Sequence, residues 1–325
     1  MNISVVIPNY NGEELLKKNL PKVFEAARYY VSEDNARVEI IIVDDSSSDN
    51  SVLSIKHYVQ SIKHKNVIFK ILENEKNLGF ASTVNRGVKK ASGEIVILLN
   101  TDVVPEKGFL DPLLSHFEDE EVFAVGCMDK SIEDDKTILR GRGIGKWQRG
   151  FLVHSRGGVD KTNTLWVAGG SGAFRKSTWD KLGGFDELYS PFYWEDIDLS
   201  YRAIKSGFKV VFEPKSIVTH EHEKGAIKGA YSSFQIKTIA YRNQFIFVWK
   251  NTSDLDLQLL HVFWLPYHFI KAFASGEWAF VLGFFQAFIR LLLVIKSKIR
   301  SQKYFNKSDR QVLKEFRQYD EGRKI

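Results

Sequence analysis

Val38-Glu39-Ile40-Ile41-Ile42-Val43 is a mostly β-branched apolar run that stops at Asp44-Asp45. Apolar residues at consecutive positions leave no wet face, so the run reads as a strand buried on both sides, as in a parallel sheet. Three further runs repeat the pattern: Ile3–Ile7 ending at Pro8, Val67–Leu72, and Ile95–Leu99 ending at Asn100-Thr101-Asp102. Helical spacing lies between them. Glu13–Tyr30 places Leu16, Leu20, Val23, Phe24 and Ala27 on one face. Asp49 can cap a helix through Val52, Ile55 and Val59, and Ala81–Ala91 turns Val84 and Val88 inward. Strand–helix–strand repetition gives an α/β fold with helices on both faces of the sheet.

Three of these strands end in polar residues: Asn9-Tyr10-Asn11, Asp44-Asp45 and Asn100-Thr101-Asp102. In open α/β sheets a ligand lies beyond the carboxyl ends of the strands, so polar groups gather where a nucleotide would bind. Residues 129–163 are rich in Gly, Arg, Lys and Asp with little apolar periodicity, which predicts a mobile loop between Gly141 and Gly158. Order resumes at Leu165 with a short strand, the turn Gly169-Gly170-Ser171-Gly172, and a helix near Ser177–Leu182. A helix over Glu195–Ser206 and a strand over Lys209–Glu213 follow.

The chain has 325 residues, 44% apolar and 26% charged, which fits a globular protein and excludes a disordered tail, a collagen-like rod or a disulfide scaffold. Cys127 alone forms no intrachain disulfide, which suits a reducing compartment. No basic segment precedes the first apolar run, so no secretory signal is expected. The net charge of +6 is uneven: residues 286–325 hold 11 Lys+Arg against 4 Asp+Glu. A basic tail suits nucleic acid or an anionic membrane surface.

Five constellations could carry chemistry. Asp45 could accept hydrogen bonds from a base or a ribose, whereas Asp49 reads as a helix cap. Asn100-Thr101-Asp102 could hold Mg²⁺ or Mn²⁺ against phosphates, or simply form a turn. Trp194-Glu195-Asp196-Ile197-Asp198 opens a helix, where acids favour the macrodipole. Crowding by Phe192, Tyr193 and Trp194 would raise an acid's pKa and improve it as a base, while the dipole and any metal push the other way, so no net direction is expected. His220 could ligate a metal and His222 less so. Gly169-Gly170-Ser171-Gly172 lets backbone approach a ligand, although it lacks the spacing of a P-loop.

The order of the motifs is more specific than any one of them. Ile-Pro-Asn-Tyr-Asn-Gly (7–12), Val-Asp-Asp-Ser-Ser-Ser-Asp (43–49) and Asn-Leu-Gly-Phe-Ala-Ser-Thr-Val-Asn-Arg-Gly (77–87) come first. Leu-Leu-Asn-Thr-Asp (98–102), Gly-Gly-Ser-Gly-Ala-Phe-Arg (169–175), Gly-Gly-Phe-Asp-Glu (183–187) and Trp-Glu-Asp-Ile-Asp-Leu-Ser-Tyr-Arg (194–202) follow, and then His220. Over residues 1–250 this series resembles the family 2 glycosyltransferases of GT-A fold, near the bacterial rhamnosyltransferase-like branch. The resemblance implies a mixed, mostly parallel sheet flanked by helices, with residues 251–325 as an apolar then basic helical extension.

It also implies an inverting, metal-dependent transfer of one sugar. The donor would be a nucleotide-diphosphate sugar, and the acceptor a hydroxyl of a saccharide or lipid-linked saccharide in cell-surface polysaccharide synthesis. Pro8 and Tyr10 would lie beside the nucleotide, Asp45 would contact base or ribose, and Asn77, Gly79 and Asn85 would shape that pocket. Asp102 matches the last acid of the family's DXD motif. Asn100 replaces the first acid and offers a carbonyl oxygen with less charge. Asp196 matches the catalytic base, Glu195 would assist it, and His220 would add a metal or phosphate contact. Asn100, Gly170, Ser171 and Trp194 would line the donor and acceptor pocket. The Gln-x-x-Arg-Trp motif of processive members is absent, and Tyr241-Arg242-Asn243 stands in that region.

Val281, Phe284, Phe285, Phe288, Leu292 and Ile295 share one helical face, yet the charge-free run Trp278–Ile289 is too short to span a bilayer. With Lys296, Lys298, Arg300 and Lys303 behind it, the segment reads as in-plane membrane helices. A packed core or dimer face and a true span are its rivals. The expected location is cytoplasmic, peripheral on the inner face of the plasma membrane, with no nucleic-acid partner. A nucleotidyltransferase would need a basic Gly-rich loop after the first strand, where Asn9–Glu14 has neither Arg nor Lys. A non-catalytic nucleotide-sugar-binding module would lack the acids at 195–196.

Overall fold

The computed structural model describes residues 1–33, 36–133, 136–221 and 231–317. Its parallel half consists of β1 (Ile3–Asn9), β2 (Val38–Asp44), β3 (Val67–Glu73) and β4 (Ile95–Leu99). Their links are α1 (Glu13–Glu33), α2 (Ser51–Ser61) and α3 (Phe80–Lys90). Side chains alternate across the strands. Ile40, Ile42, Ile95, Ile97 and Leu99 join the cluster under α1, whereas Ile41, Val43, Val96 and Leu98 join the one under α3. Both faces are therefore dry, and each such side chain contributes about 1.5–3 kcal/mol.

Beyond β4 the chain forms β5 (Val103–Pro105), α4 (Leu110–Ser115), β6 (Val122–Glu133), β7 (Lys136–Arg140), β8 (Gly143–Gln148) and β9 (Phe151–Arg156). Then come β10 (Ser171–Arg175), α5 (Lys176–Leu182), α6 (Glu195–Lys205) and β11 (Lys209–Glu221). The sheet order is β3-β2-β1-β4-β10-β6-β11-β5, with β7 paired to β6. β10 runs antiparallel between β4 and β6, which puts its first residue, Ser171, opposite Leu99 at the carboxyl end of β4.

Two expectations fail here. The segment between Gly141 and Gly158 is not a loop but the hairpin β8–β9. Its glycines serve packing: a Cβ at Gly143 would come within 2.1 Å of the Trp166 ring, and one at Gly145 within 2.4 Å of Leu165. Arg149 and Gly150 turn the hairpin with φ of 48° and 82°, the left-handed pair a two-residue connection needs. The expected strand at Leu165 does not form, although Leu165 and Val167 are fully buried.

The C-terminal helices are α7 (Ser233–Asn251), α8 (Leu255–Ser275), α9 (Trp278–Ile289), α10 (Leu291–Gln302) and α11 (Asp309–Arg317). The single apolar face expected across 281–295 is interrupted at Arg290, where α9 and α10 bend by 67°. One apolar cluster runs from Val6 and Val96 through Phe245 to Phe280, Val294 and Phe316. Polar ties reinforce it. Buried Lys205 of α6 meets Asp309 at 2.8 Å, and Lys250 of α7 bridges Asp186 and Asp198.

Candidate active site

Asp45 follows β2 with its carboxylate buried. Its Oδ1 accepts from Asn74 Nδ2 at 2.7 Å and from the Leu78 amide at 2.8 Å, and its Oδ2 accepts from the Gly79 amide at 2.9 Å. This acid thus shapes the loop entering α3, where Gly79 takes a φ of 82° that suits glycine. Asn77 accepts from the same Gly79 amide at 3.1 Å. Tyr10 is exposed at the end of β1, beside half-buried Pro8. Asn85 is taken up elsewhere: its amide donates to Phe185 O at 2.8 Å and accepts from Phe185 N at 3.0 Å, fastening α3 to the turn after α5.

Asp102 lies between β4 and β5, and its Oδ2 stands 3.1 Å from His220 Nε2 on β11. The other ring nitrogen, Nδ1, lies 3.2 Å from Asp129 Oδ2 on β6. Burial alone would lower the His220 pKa, but the two carboxylates outweigh it and lift it to about 9. Among the described residues no group of three or more His, Cys, Asp or Glu is placed to hold a metal ion by itself. The donor set nevertheless fits a hard cation whose remaining ligands come from substrate phosphates. Neighbouring ligands of an octahedral ion are about 3 Å apart, and a ligating His ordinarily passes its second N–H to a carboxylate, the place of Asp129. The buried Asn100 Oδ1 beside them has no hydrogen-bond partner among the described residues. His222 lies outside the described residues.

At the start of α6, Tyr193 and Trp194 both adopt left-handed backbone, with φ of 70° and 78°. Non-glycine residues hold such conformations only where their surroundings enforce them. Asn243 of α7 does so here: its Nδ2 donates to the carbonyls of Tyr189, Phe192 and Tyr193 at 2.7–2.9 Å. Buried Arg242 adds bonds to Tyr189 O and Ser190 O. The Trp194 indole lies between His154 of β9 and Phe247, with ring centroids 5.0 and 5.1 Å away.

The three acids that follow have different fates. Asp198 is buried, which favours the neutral acid, but Arg202 and Lys250 overcome this and hold it ionised. Its role is structural. Glu195 is buried with Oε2 unpartnered among the described residues, so desolvation raises its pKa and the charge of Asp196 adds to this. Asp196 is also raised by burial, against the backbone amides of Ile197 and Gly169. Gly169 leads directly to Gly170, whose carbonyl accepts from the Asn100 amide at 2.9 Å. A Cβ at Gly170 would fall 2.4 Å from Asn100 Nδ2, so a larger residue there would displace the Asn100 side chain.

The rim therefore closes by contact. Asp45 holds Gly79, whose Cβ position lies 3.9 Å from Pro191 and Ser190. That turn leads to Glu195 and Asp196, Gly169-Gly170 stands between Asp196 and Asn100, and Asp102 follows Asn100 by two residues and meets His220. Sequence reasoning missed Asp129, and it named Arg242 and Asn243 only as the residues standing where the processive motif would be, not as braces of this turn. An acid directly after the apolar run Val122–Met128 was the available signal for Asp129. The other two are recognisable only once α7 packs on the turn.

The model of the family described as Glycosyl transferase family 2 matches residues 4–183. The chain is 28% identical over 228 residues to the pre-mycofactocin glycosyltransferase of Mycobacterium tuberculosis, covering 68% of this chain and 43% of the relative. It is 24% identical over 226 residues to the O-antigen chain rhamnosyltransferase RfbN of Salmonella typhimurium, covering 68% and 67%. The chain thus spans less than half the length of the first of these relatives. Residues 1–349 of S. aureus TarS in complex with UDP-GlcNAc superpose with a TM-score of 0.58 at 16% identity, over 98% of this chain and 92% of that one. The mannosyltransferase PcManGT of Pyrobaculum calidifontis, in complex with GDP-Man and Mn²⁺, gives 0.56 at 16%, over 93% and 85%. These structures establish the fold as GT-A. By its motifs, its sheet and its family match, the chain belongs to glycosyl transferase family 2.

Proposed function

We propose that this glycosyltransferase moves one sugar from a nucleotide-diphosphate sugar to a hydroxyl of a saccharide or lipid-linked saccharide, inverting the anomeric centre, in cell-surface polysaccharide synthesis. The observation that carries the proposal is the turn Gly169-Gly170, whose Gly169 amide acts on Asp196 and whose Gly170 carbonyl accepts from Asn100, two residues before Asp102. It ties an acid with a raised pKa to a cation-binding edge, the two ends that an in-line displacement needs.

Asp196 takes the proton of the acceptor hydroxyl. The acceptor oxygen bonds to the anomeric carbon as the bond to the diphosphate oxygen breaks, and that electron pair leaves with the diphosphate. A single displacement inverts the centre. Positioned base catalysis is worth about 10²–10⁴-fold. Glu195, kept largely protonated by burial, donates a hydrogen bond beside the base. Asp102 and His220 would hold a divalent cation, Mg²⁺ or Mn²⁺, with Asp129 orienting the imidazole. When bound, the cation neutralises charge on the leaving diphosphate.

The complexes formed by the structural neighbours with UDP-GlcNAc, or with GDP-Man and Mn²⁺, support the donor class and the metal. The name of RfbN supports the polysaccharide role. The absence of the Gln-x-x-Arg-Trp motif, with Tyr241-Arg242-Asn243 in its region, supports transfer of one sugar per event. The nucleotidyltransferase and the binding-module readings are set aside by the family match and by the paired acids. The test is a panel of nucleotide sugars with and without Mn²⁺, with the product anomer read by NMR. Metal-stimulated transfer with inversion is expected. Retention, or activity indifferent to chelation, would overturn this reading.

A further inference from the structure

Helix α9 is apolar on nearly every side. Its inner face, Ala279, Phe280, Gly283 and Ala287, is buried, and a Cβ at Gly283 would come within 2.8 Å of Tyr241 and 2.9 Å of the Arg242 amide. Helices α9 and α7 therefore touch nearly backbone to backbone. The opposite face is just as apolar and uncovered. Most of the large apolar side chains left exposed among the described residues lie on α8, α9 and α10. Phe263 is 74% exposed, and Ile289 and Leu292 are each 82% exposed. A soluble monomer seldom exposes a contiguous apolar patch above about 300–600 Å². A helix hydrophobic all round belongs in a core or against lipid.

No single described helix is long and apolar enough to cross a bilayer, and α9 and α10 bend by 67°. After the bend, α10 mixes exposed Leu292, Leu293 and Ile299 with exposed Lys296 and Arg300, and Lys303 follows it. Apolar groups followed by cations match the boundary between acyl chains and anionic headgroups.

We infer that α8, α9 and α10 form an in-plane docking face for an anionic lipid bilayer, with exposed Lys296 and Arg300 of α10 and Lys303 at the headgroup phosphates, whereas Lys298 turns inward to Thr252 O. The inference deepens the proposed function by naming where a lipid-linked acceptor would be met. Its test measures binding without catalysis, so the two fail separately. α7 packs on α9 on one side and holds the turn before Glu195 on the other, so the docking face is one helix away from the candidate base.

The experiment sediments the full chain with phosphatidylcholine vesicles, with and without phosphatidylglycerol. Binding to the anionic vesicles and release by alkaline carbonate are expected. Ile289→Glu with Leu292→Glu should lower binding at least about 10-fold. Both side chains are almost fully exposed, so the fold should survive, which circular dichroism checks. Lys296→Gln with Arg300→Gln should weaken binding only to the anionic vesicles. Wild-type binding by the Glu variant, retention after carbonate, or a stable dimer in ultracentrifugation that ignores vesicles would each overturn the inference.

Discussion

Replacing Asn243 with Ala should damage both stability and turnover, and the structure sets the scale. The Asn243 amide donates to three backbone carbonyls, and Arg242 shares one of them, Tyr189 O. Truncation therefore orphans mainly the carbonyls of Phe192 and Tyr193, and leaves Arg242 Nε without the Asn243 acceptor it now has at 2.9 Å. At about 1–3 kcal/mol for each unsatisfied carbonyl, the loss is about 2–6 kcal/mol. The left-handed residues 193 and 194, each strained by about 1–3 kcal/mol, are then free to relax. Glu195 and Asp196 follow them directly, and a shift of about 1 Å in a reacting group can cost about 10²-fold in rate. Urea unfolding reads the first effect and initial-rate transfer the second. Asn243→Asp, which has no donor for the carbonyls, should be no better. A variant with unchanged urea midpoint and full kcat would refute the bracing role.

Other outcomes follow from the same contacts. Asp129→Asn should raise the Mn²⁺ concentration for half-maximal activity about 10–100-fold, because His220 loses its orienting carboxylate; an unchanged metal titration would separate Asp129 from the site. Glu195 has a folded pKa above its unfolded one, so it adds no penalty below about pH 4.3 and destabilises progressively as pH rises above that value. Glu195→Gln should therefore raise the melting temperature more at pH 8 than at pH 5, and the opposite trend would contradict the burial argument. Asp309→Ala leaves Lys205 buried without its counter-ion and should cost about 3–5 kcal/mol in urea unfolding; a loss below the error of the midpoint would mean that water reaches Lys205.

What was legible in the sequence follows from which forces are local. β1, β2 and β4 could be read because strands covered on both faces need unbroken apolar runs, and Ile95–Leu99 matches residue for residue. β3, expected to be buried likewise, is instead the sheet's edge, with Ile68 and Lys70 exposed. Asp102, Asp196 and His220 could be named as candidates because the chemistry proposed for them is written into short motifs. The hairpin β8–β9 was misread because Gly143 and Gly145 look like loop residues until Trp166 and Leu165 fold over them. Asp49 partly fulfils its capping role: Asn50 holds the cap position, while Asp49 accepts from Ser51 N at 3.0 Å and Glu13 N at 2.9 Å, joining α1 to α2. Asn243 carries no local signal, because its partners lie some fifty residues back along the chain.

The chemistry attributed to the start of α6 rests on one side chain. With a nucleotide sugar that the wild type turns over, Asp196→Asn should lower kcat by at least about 10²-fold. Calorimetric donor affinity should stay within about 2-fold, since the base acts on the acceptor. Near-normal turnover, or loss of donor binding in step with activity, would contradict the assignment of Asp196 as the base.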